Sequence, residues 1–422
     1  MTETDTLPQN TAQVHEEFRN TRLLIAIPAY VERDALASLI TKLSRAVQVL
    51  PSSYPVGVAL PQGTLTHLSS FHDPVDVTLH PLEYLDYVPP AATISTQPWL
   101  ASALTAESIF YLAQQSHADA CTVVSADVRE SLTPERMSLL LEPCIEGNMD
   151  LVMPIYATPA FDDLLNKAIL YPLTRALYGR RIQNPLANEF QVSSKMMQFL
   201  QAPMGKDPQL KQGRLLWLGY TAANFDLKIC QVYLGERNPQ THDGIELSDA
   251  LIQMVGPLFL NMEDNAVFWQ RVRGSREVPT FENVEPIAPS ARTMDVRQMV
   301  ETFRLGFRNL HEIWSLILPP ATLLELKKIS LLPAEGFHLS DELWARIVYD
   351  FALAHRLRNV HRLHLFGALL PLYLGWVASY VNDVMIAGIV TADDRVEALA
   401  RAYEAEKAYL VSRWRWPDRF HP

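Results

Sequence analysis

The feature that most constrains the fold is a continuous apolar run near the start, "RLLIAIPAY" (Arg22–Tyr30), which stops at Pro28. A run that does not alternate with polar residues is typical of a strand buried on both faces of a parallel sheet. The next segment places Leu36, Leu39 and Leu43 on one helical face. Further strand-like runs, "YPVGVAL", "DACTVVSAD" and "DLVMPIY", are separated by helical segments. This alternation predicts an α/β domain with a mostly parallel sheet, which extends to about residue 260.

Local signals and a change of pattern divide the chain. Thr133 can cap a helix that begins with Pro134, whereas Pro172 should kink the helix around it. Residues 61–99 are rich in Pro, His and Thr and give no clear assignment. From about Ser290 only amphipathic helices follow. We predict a flexible tail over residues 1–20, an α/β domain over 21–275, a connector over 276–290 and an all-helical domain over 291–422.

Charge and cysteine content narrow the function classes. The 422 residues carry a net charge of −11, with 36 basic and 47 acidic side chains, and this disfavours nucleic-acid binding because no basic stripe faces phosphates. Three widely spaced cysteines and a polar, acidic N-terminus favour a cytoplasmic protein. The apolar stretch over residues 365–381 is at the lower end of the spanning length and lacks a basic flank. We predict a buried helix there, and no transmembrane segment.

Four stretches match the pattern of one family: "IPAYVERDALASLI", "SADVRESLTPERMSLLLEPC", "ILYPLTRALYGRRIQNPLANEF" and "LWARIVYDFALAHR". With them, the chain resembles cytoplasmic glycosyltransferases of the GT-A fold, of the mannosylglycerate synthase and glucosylglycerate synthase type. The third stretch is the most specific, and the resemblance extends from about Arg22 to the end. It implies a GT-A domain followed by a helical domain. It also implies retaining transfer of a hexose from a nucleotide sugar to a small polar acceptor such as glycerate.

The resemblance implies a set of binding residues. Those implied to contact the nucleotide are Pro28, Ala29, Tyr30, Glu32 and Asp127. Asp127 corresponds to the second acid of the family's metal-binding motif and is also an implied ligand of Mg²⁺ or Mn²⁺, which prefer oxygen ligands. His242, in "NPQTHDG", is the nearest match to the family's metal-binding histidine. Glu189, in "NPLANEF", is the implied catalytic acid that binds sugar or acceptor hydroxyls.

The chain departs from the family pattern at several of these motifs. Ser125 replaces the first metal-binding acid, and Leu215 replaces an acid on the acceptor side. "TQPWL" stands where the family has a Gly-Lys-Gly, so a lysine that would face the diphosphate is missing. Ala187 and Asn188 replace two glycines. Arg129, or Arg180 and Arg181, are candidate substitutes for the missing positive charge.

Two hypotheses follow from this mixture. In the first, the chain is a working glycosyltransferase with an altered donor site and a weakened divalent-metal site. In the second, it is a non-catalytic glycosyltransferase paralogue that acts as a binding or regulatory partner, either as a homo-oligomer or paired with an active glycosyltransferase. Metal-dependent binding of a nucleotide sugar distinguishes the first hypothesis from the second.

Overall fold

The computed structural model describes residues 21–28, 33–50, 54–61, 82–87, 98–124, 132–146, 148–201, 217–236, 247–281, 294–386 and 391–417. The chain divides into two compact units, each built from three stretches of sequence. The sheet unit comprises Met1–Ala157, Leu186–Asn238 and Val278–Glu285. The helical unit comprises Thr158–Pro185, Pro239–Glu277 and Pro286–Pro422.

The sheet unit contains, among the described residues, one sheet of eight strands in the order β3-β2-β1-β4-β6-β5-β7-β8. The strands are β1 Leu23–Ala26, β2 Val56–Pro61, β3 Leu82–Tyr87, β4 Ala120–Val123, β5 Leu151–Ala157, β6 Phe190–Ser193, β7 Ile229–Glu236 and β8 Thr280–Phe281. Neighbouring strands pair in parallel, except that β6 is antiparallel to both β4 and β5. The predicted fold class is therefore confirmed: a mostly parallel sheet with flanking helices, followed by a helical C-terminal region.

Helices connect the strands and make up the described part of the C-terminal region. They are α1 Arg33–Ala46, α2 Pro98–Gln115, α3 Pro134–Leu141, α4 Tyr171–Tyr178, α5 Ser194–Gln201, α6 Leu218–Asn224, α7 Leu247–Ala250, α8 Gly256–Asp264, α9 Ala266–Trp269, α10 Val296–Asn309, α11 His311–Ile317, α12 Pro320–Ile329, α13 Asp341–Leu357, α14 Arg362–Ile386, α15 Ala392–Ala405 and α16 Lys407–Arg415. The described residues also form two π-helical turns, Asn166–Leu170 and Leu251–Val255, and two 3₁₀ turns, Val47–Val49 and Ala334–Gly336.

The core of the sheet unit follows the predicted pattern. All four residues of β1 are fully buried, as expected for a strand covered on both faces. Leu36, Leu39 and Leu43 of α1 lie in the same apolar cluster as β1, β2 and α3. Thr133 caps α3 by accepting a hydrogen bond from the Arg136 amide at 3.4 Å, and Pro134 occupies the first helical position, so the predicted start of this helix is confirmed.

The kink expected at Pro172 takes the form of the π-helical turn Asn166–Leu170. Proline has no amide hydrogen, so Pro172 cannot bond the carbonyl of Ala168 four residues earlier. That carbonyl instead accepts hydrogen bonds from Trp344 Nε1 at 3.0 Å and the Tyr403 hydroxyl at 3.1 Å. Helix α4, which follows, is buried at every position. Two side chains from later helices thus satisfy the carbonyl that Pro172 leaves without its usual backbone donor.

Helix α14 contains the apolar stretch that sequence analysis singled out. Arg362–Met385 is long and apolar enough to cross a membrane, but 78% of its most apolar window is buried inside the structure, so the test is weak evidence of a span. Trp376 and Tyr380 are fully buried, and their rings stack at 5.2 Å between centroids. The indole Nε1 of Trp314 donates to the Ala368 carbonyl at 2.9 Å, next to the helix proline Pro371. These contacts agree with the predicted buried helix.

Candidate active site

The carboxyl ends of β1, β2, β4, β5 and β7 share one edge of the sheet, because these strands are mutually parallel. The ladder extends one residue past β1 and β4: the Ile27 amide donates to the Ala59 carbonyl, and the Val124 amide donates to the Ala26 carbonyl, each at 3.0 Å. Pro28, the next residue, is half-buried. Pro28 therefore lies at the edge where open α/β sheets bind ligands.

Glu189 reaches the same edge from the opposite chain direction. It precedes β6, whose first residue, Phe190, pairs with Val123 at the end of β4. Because β6 runs antiparallel, its start lies beside the ends of its neighbours. The hydroxyl of Tyr156, near the end of β5, donates a short hydrogen bond to Glu189 Oε2. Both side chains are half-buried.

A carboxylate that a tyrosine holds at this edge can bind a hydroxyl group of a substrate. The phenol fixes one carboxylate oxygen, and a carboxylate has several lone-pair directions for further donors. A hydroxyl of a sugar or of a small acceptor is such a donor. Fixed acceptors of this kind orient a substrate and can accept its proton when they lie within hydrogen-bond reach.

Behind Glu189, a buried amide network fixes the strand from which it projects. Gln191, fully buried, donates from Nε2 to Thr122 Oγ1 at 3.1 Å and to the Leu141 carbonyl at 2.6 Å. Its Oε1 accepts from the Cys144 amide at 3.0 Å. One side chain thus ties β6 to β4 and to the end of α3. A satisfied buried network of this kind holds its segment rigidly.

Two of the seven residues proposed from sequence, Pro28 and Glu189, lie at the same edge of the sheet. The other five, Ala29, Tyr30, Glu32, Asp127 and His242, lie outside the described residues, as do Ser125, Arg129 and Leu215. Their roles stay predictions. Tyr156 is a residue that sequence reasoning missed, because a tyrosine in "LVMPIY" fits an ordinary strand equally well.

The structure describes three further positions that sequence analysis considered. Ala187 and Asn188, which stand where the family has glycines, both have negative φ, so their backbone conformation does not require glycine. The side chain of Trp217 is 1% exposed, so it is a core residue of the sheet unit. Its Nε1 atom is buried and has no hydrogen-bond partner among the described residues.

The substitute cations Arg180 and Arg181 both belong to the helical unit. Arg181 Nη1 lies 3.1 Å from Glu277 Oε1. Their proposed contact with a diphosphate stays a prediction.

The described side chains offer neither a cluster of metal ligands nor a reactive thiol. Within the ranges that the structure describes, no group of three or more His, Cys, Asp or Glu side chains is arranged to hold a metal ion. Both predicted ligands, Asp127 and His242, lie outside those ranges. Burial raises the pKa of the Cys121, Cys144 and Cys230 thiols, which are therefore neutral and poor metal ligands.

Comparison with known proteins gives structural matches alone. No family model matches this chain, and no curated protein matches its sequence. Glucosyl-3-phosphoglycerate synthase of Mycobacterium tuberculosis is 17% identical, with a TM-score of 0.36, over 58% of this chain and 83% of that one. Its complex with Mn²⁺, UDP-glucose and phosphoglyceric acid matches with 15% identity and a TM-score of 0.38, over 59% and 81% of the two chains. Mannosyl-3-phosphoglycerate synthase of Rubrobacter xylanophilus is 16% identical, with a TM-score of 0.40, over 58% and 75%.

Proposed function

We propose that this chain is a GT-A glycosyltransferase that transfers a hexose from a nucleotide sugar to a small polar acceptor such as glycerate. The observation that carries the proposal is the hydrogen bond from Tyr156 to Glu189 at the carboxyl edge of a mostly parallel sheet. Ligands of open α/β sheets bind at this edge. The most specific family-like stretch, "ILYPLTRALYGRRIQNPLANEF", ends on Glu189 and Phe190. The chemical group and its position therefore support the same function.

Different residues would bind the nucleotide, the sugar or acceptor hydroxyls, and the metal. Pro28, Ala29, Tyr30 and Glu32 would contact the nucleotide at the end of β1. Glu189, held by Tyr156, accepts hydrogen bonds from the hydroxyls of the sugar or acceptor. Asp127 and His242 would hold the divalent metal, which, when bound, stabilises the negative charge on the departing diphosphate.

Nucleotide binding is the first test. The melting temperature of the purified chain is measured with UDP, GDP and their glucose and mannose derivatives, with and without Mn²⁺ or Mg²⁺. A ligand at a hundred times its dissociation constant stabilises the folded state by about 2.7 kcal/mol, which a melt detects readily. We expect one nucleotide to stabilise only with metal, and Asp127→Ala to abolish that effect.

The role of Glu189 predicts a second, separable result. Glu189→Gln keeps the size of the side chain but removes its charge, so we expect hexose transfer to fall by about 10²-fold or more, as for loss of a general base. The metal-dependent nucleotide stabilisation should remain. Tyr156→Phe should reduce transfer less, because the carboxylate is retained. Glu146→Gln, an exposed glutamate of the same unit, is the matched control and should leave transfer unchanged.

The alternative is a non-catalytic paralogue that binds another glycosyltransferase. Its support is the set of replacements at Ser125, Leu215 and the stretch "TQPWL", which remove two acids and a lysine from the family pattern. This alternative predicts that no nucleotide sugar shifts the melt at millimolar concentration. It also predicts a stable complex with an active transferase, seen as co-elution in size-exclusion chromatography. Transfer that depends on Glu189 would rule it out.

A further inference from the structure

Three stretches of the helical unit contain basic residues and no acidic ones. Residues 265–276 contain Arg271, Arg273 and Arg276; residues 351–382 contain Arg356, Arg358 and Arg362; residues 407–417 contain Lys407, Arg413 and Arg415. The chain as a whole has the opposite balance, with 47 acidic and 36 basic side chains. Lys407 and Arg413 are buried, but the exposed arginines of these stretches form a local excess of positive charge, which favours an anionic partner.

Contacts around Trp414 bring these three stretches together. The Trp414 ring packs against Trp269, with ring centroids 5.2 Å apart, and both tryptophans are buried. The Arg356 guanidinium lies 4.7 Å above the Trp414 ring, and its Nη1 donates to the Trp414 carbonyl at 2.7 Å. Arg415 Nε donates to Gln270 Oε1 at 2.7 Å. The ends of α9, α13 and α16 therefore meet at one place.

Among the described residues, five exposed arginines of these three stretches have no carboxylate partner. Among the described residues, no ion pair involves Arg271, Arg273, Arg276, Arg356 or Arg415, and all five are exposed. We call these five side chains the basic surface. By contrast, Arg358 nearby pairs with Glu263 at 2.9 Å. Guanidinium groups without counter-charges repel one another, and an external anion relieves that repulsion.

Exposed apolar side chains flank the buried tryptophan pair. Val267, two residues before Trp269, is 69% exposed, and Trp416, two residues after Trp414, is 63% exposed. A phosphodiester backbone offers no partner for an aliphatic side chain such as Val267. A bilayer interface accommodates both features, because tryptophan favours the headgroup level and arginines attract anionic lipids.

We propose that the basic surface, with Val267 and Trp416, docks the helical unit reversibly onto a membrane surface that contains anionic lipids. The attachment is peripheral. Each arginine near the surface contributes through charge, and the two apolar side chains enter the headgroup region. Such attachment weakens as salt is added, because the Debye length shortens to about 3 Å at 1 M ionic strength.

The test is flotation of the full chain with vesicles. One set is pure phosphatidylcholine, and the other contains about one third phosphatidylserine, an anionic lipid that attracts basic segments. We expect binding to the second set alone, at low salt. The triple variant Arg271→Gln, Arg273→Gln, Arg276→Gln should lower the partition coefficient on the order of a hundredfold, since each basic side chain near such a surface is worth roughly fivefold. Trp416→Ser should lower it further without changing the salt dependence.

A matched variant removes the same charge elsewhere in the helical unit. Arg308, Lys327 and Lys328 are exposed on α10 and α12, and their triple replacement by Gln should leave vesicle binding unchanged. If the two triple variants lose binding equally, the effect is one of net charge and the proposal is wrong. Absence of binding to the phosphatidylserine vesicles at low salt would also overturn it. Binding of an RNA oligomer by a chain that ignores vesicles would assign the surface to nucleic acid instead.

Discussion

The carbonyl oxygen of Ala168 links a single residue type to the packing of the helical unit. Pro172 removes the amide that would bond this oxygen, and Trp344 and Tyr403 supply the replacements from α13 and α15. A buried carbonyl without a partner costs about 1–3 kcal/mol, so these two donors stabilise the fold by satisfying it. The sequence shows the proline. It does not show which distant side chains donate hydrogen bonds to the carbonyl that the proline leaves free.

This carbonyl gives a prediction by double-mutant cycle. Tyr403→Phe alone should reduce the free energy of unfolding by about 1 kcal/mol, because Trp344 still donates to Ala168. Combining it with Trp344→Phe should cost more than the sum of the single changes, because the oxygen is then left without either donor. Urea denaturation of the four proteins measures the coupling. Additive losses would show that the two donors act independently of the shared carbonyl.

His338 gives a pH prediction. The Asp383 carboxylate, whose Oδ1 lies 3.6 Å from His338 Nδ1, raises the pKa of His338 above its usual 6.5, although partial burial opposes the shift. A raised pKa means that this pair stabilises the fold below about pH 6.5 and that the contribution is lost as pH rises through the folded-state pKa. The effect is small, because His338 is 58% exposed and solvent screens the pair.

Thermal melts between about pH 6 and pH 8 test this. His338→Gln should flatten the decline in melting temperature over that window. His311→Gln, which changes an exposed histidine of α11, is the control and should preserve the wild-type slope. An unchanged slope in the His338 variant would contradict the assigned pair.

At the level of single residues, the candidate site was partly predictable from the sequence. Glu189 was proposed because it lies at the end of the stretch that resembles the family, next to Phe190. Tyr156 was not found, because its role depends on β6 entering antiparallel beside β5, and no local pattern encodes that pairing. Resemblance identifies a residue in a motif, whereas its hydrogen-bond partner comes from the fold.

At the level of elements, periodicity located most of the structure of the sheet unit. The helix face of Leu36, Leu39 and Leu43 and the cap at Thr133 both appear as predicted. Strand β3 (Leu82–Tyr87) was not predicted, because the Pro- and His-rich sequence around it masks a six-residue run. Strand β6 is four residues long and leads directly into α5. Short strands fixed by their neighbours carry too little local signal.

Packing of α10 against α14 gives an element-level prediction. A β-carbon at Gly306 of α10 would lie 2.5 Å from the Pro371 Cβ atom, so Gly306→Ala forces the two helices apart. We expect a loss of roughly 1–3 kcal/mol, as for other overpacked cores. Gly367→Ala in α14 is the matched control, since no atom lies within 4 Å of its β-carbon position. That change should stabilise the helix by about 0.5–1 kcal/mol, because alanine favours helix over glycine. Chemical denaturation of both variants measures the contrast.

For the whole molecule, the chain passes five times between the sheet unit and the helical unit. The helical unit contains α4, whose Arg175 is 1% exposed and contacts residues more than two hundred positions later. Arg175 Nη1 lies 2.5 Å from Glu397 Oε2, and its Nε lies 3.2 Å from Glu404 Oε1. A run of amphipathic helices predicts such a unit in general. It does not predict that an early helix supplies its buried cation.

Arg175 predicts a large stability effect. Arg175→Met should reduce the free energy of unfolding by roughly 3–5 kcal/mol, because it removes the buried counter-ion of two partly buried carboxylates and leaves Glu397 with only the exposed Arg401. Adding Glu397→Gln and Glu404→Gln should recover part of that loss by removing the stranded charges. Denaturant titration compares the three proteins. Failure of the added changes to restore any stability would mean that Arg175 acts by packing alone.

The five passages of the chain also set an order for biosynthesis. Helix α4 leaves the ribosome before α13 and α15, which supply Trp344, Tyr403 and the two carboxylates for Arg175. Until those helices are made, α4 is an apolar segment without cover. Its Arg175 has no carboxylate partner, and the Ala168 carbonyl lacks its two side-chain donors. Uncovered segments of this kind favour aggregation and chaperone binding. The yield of folded protein in a cell should therefore depend on how quickly the last third of the chain is translated.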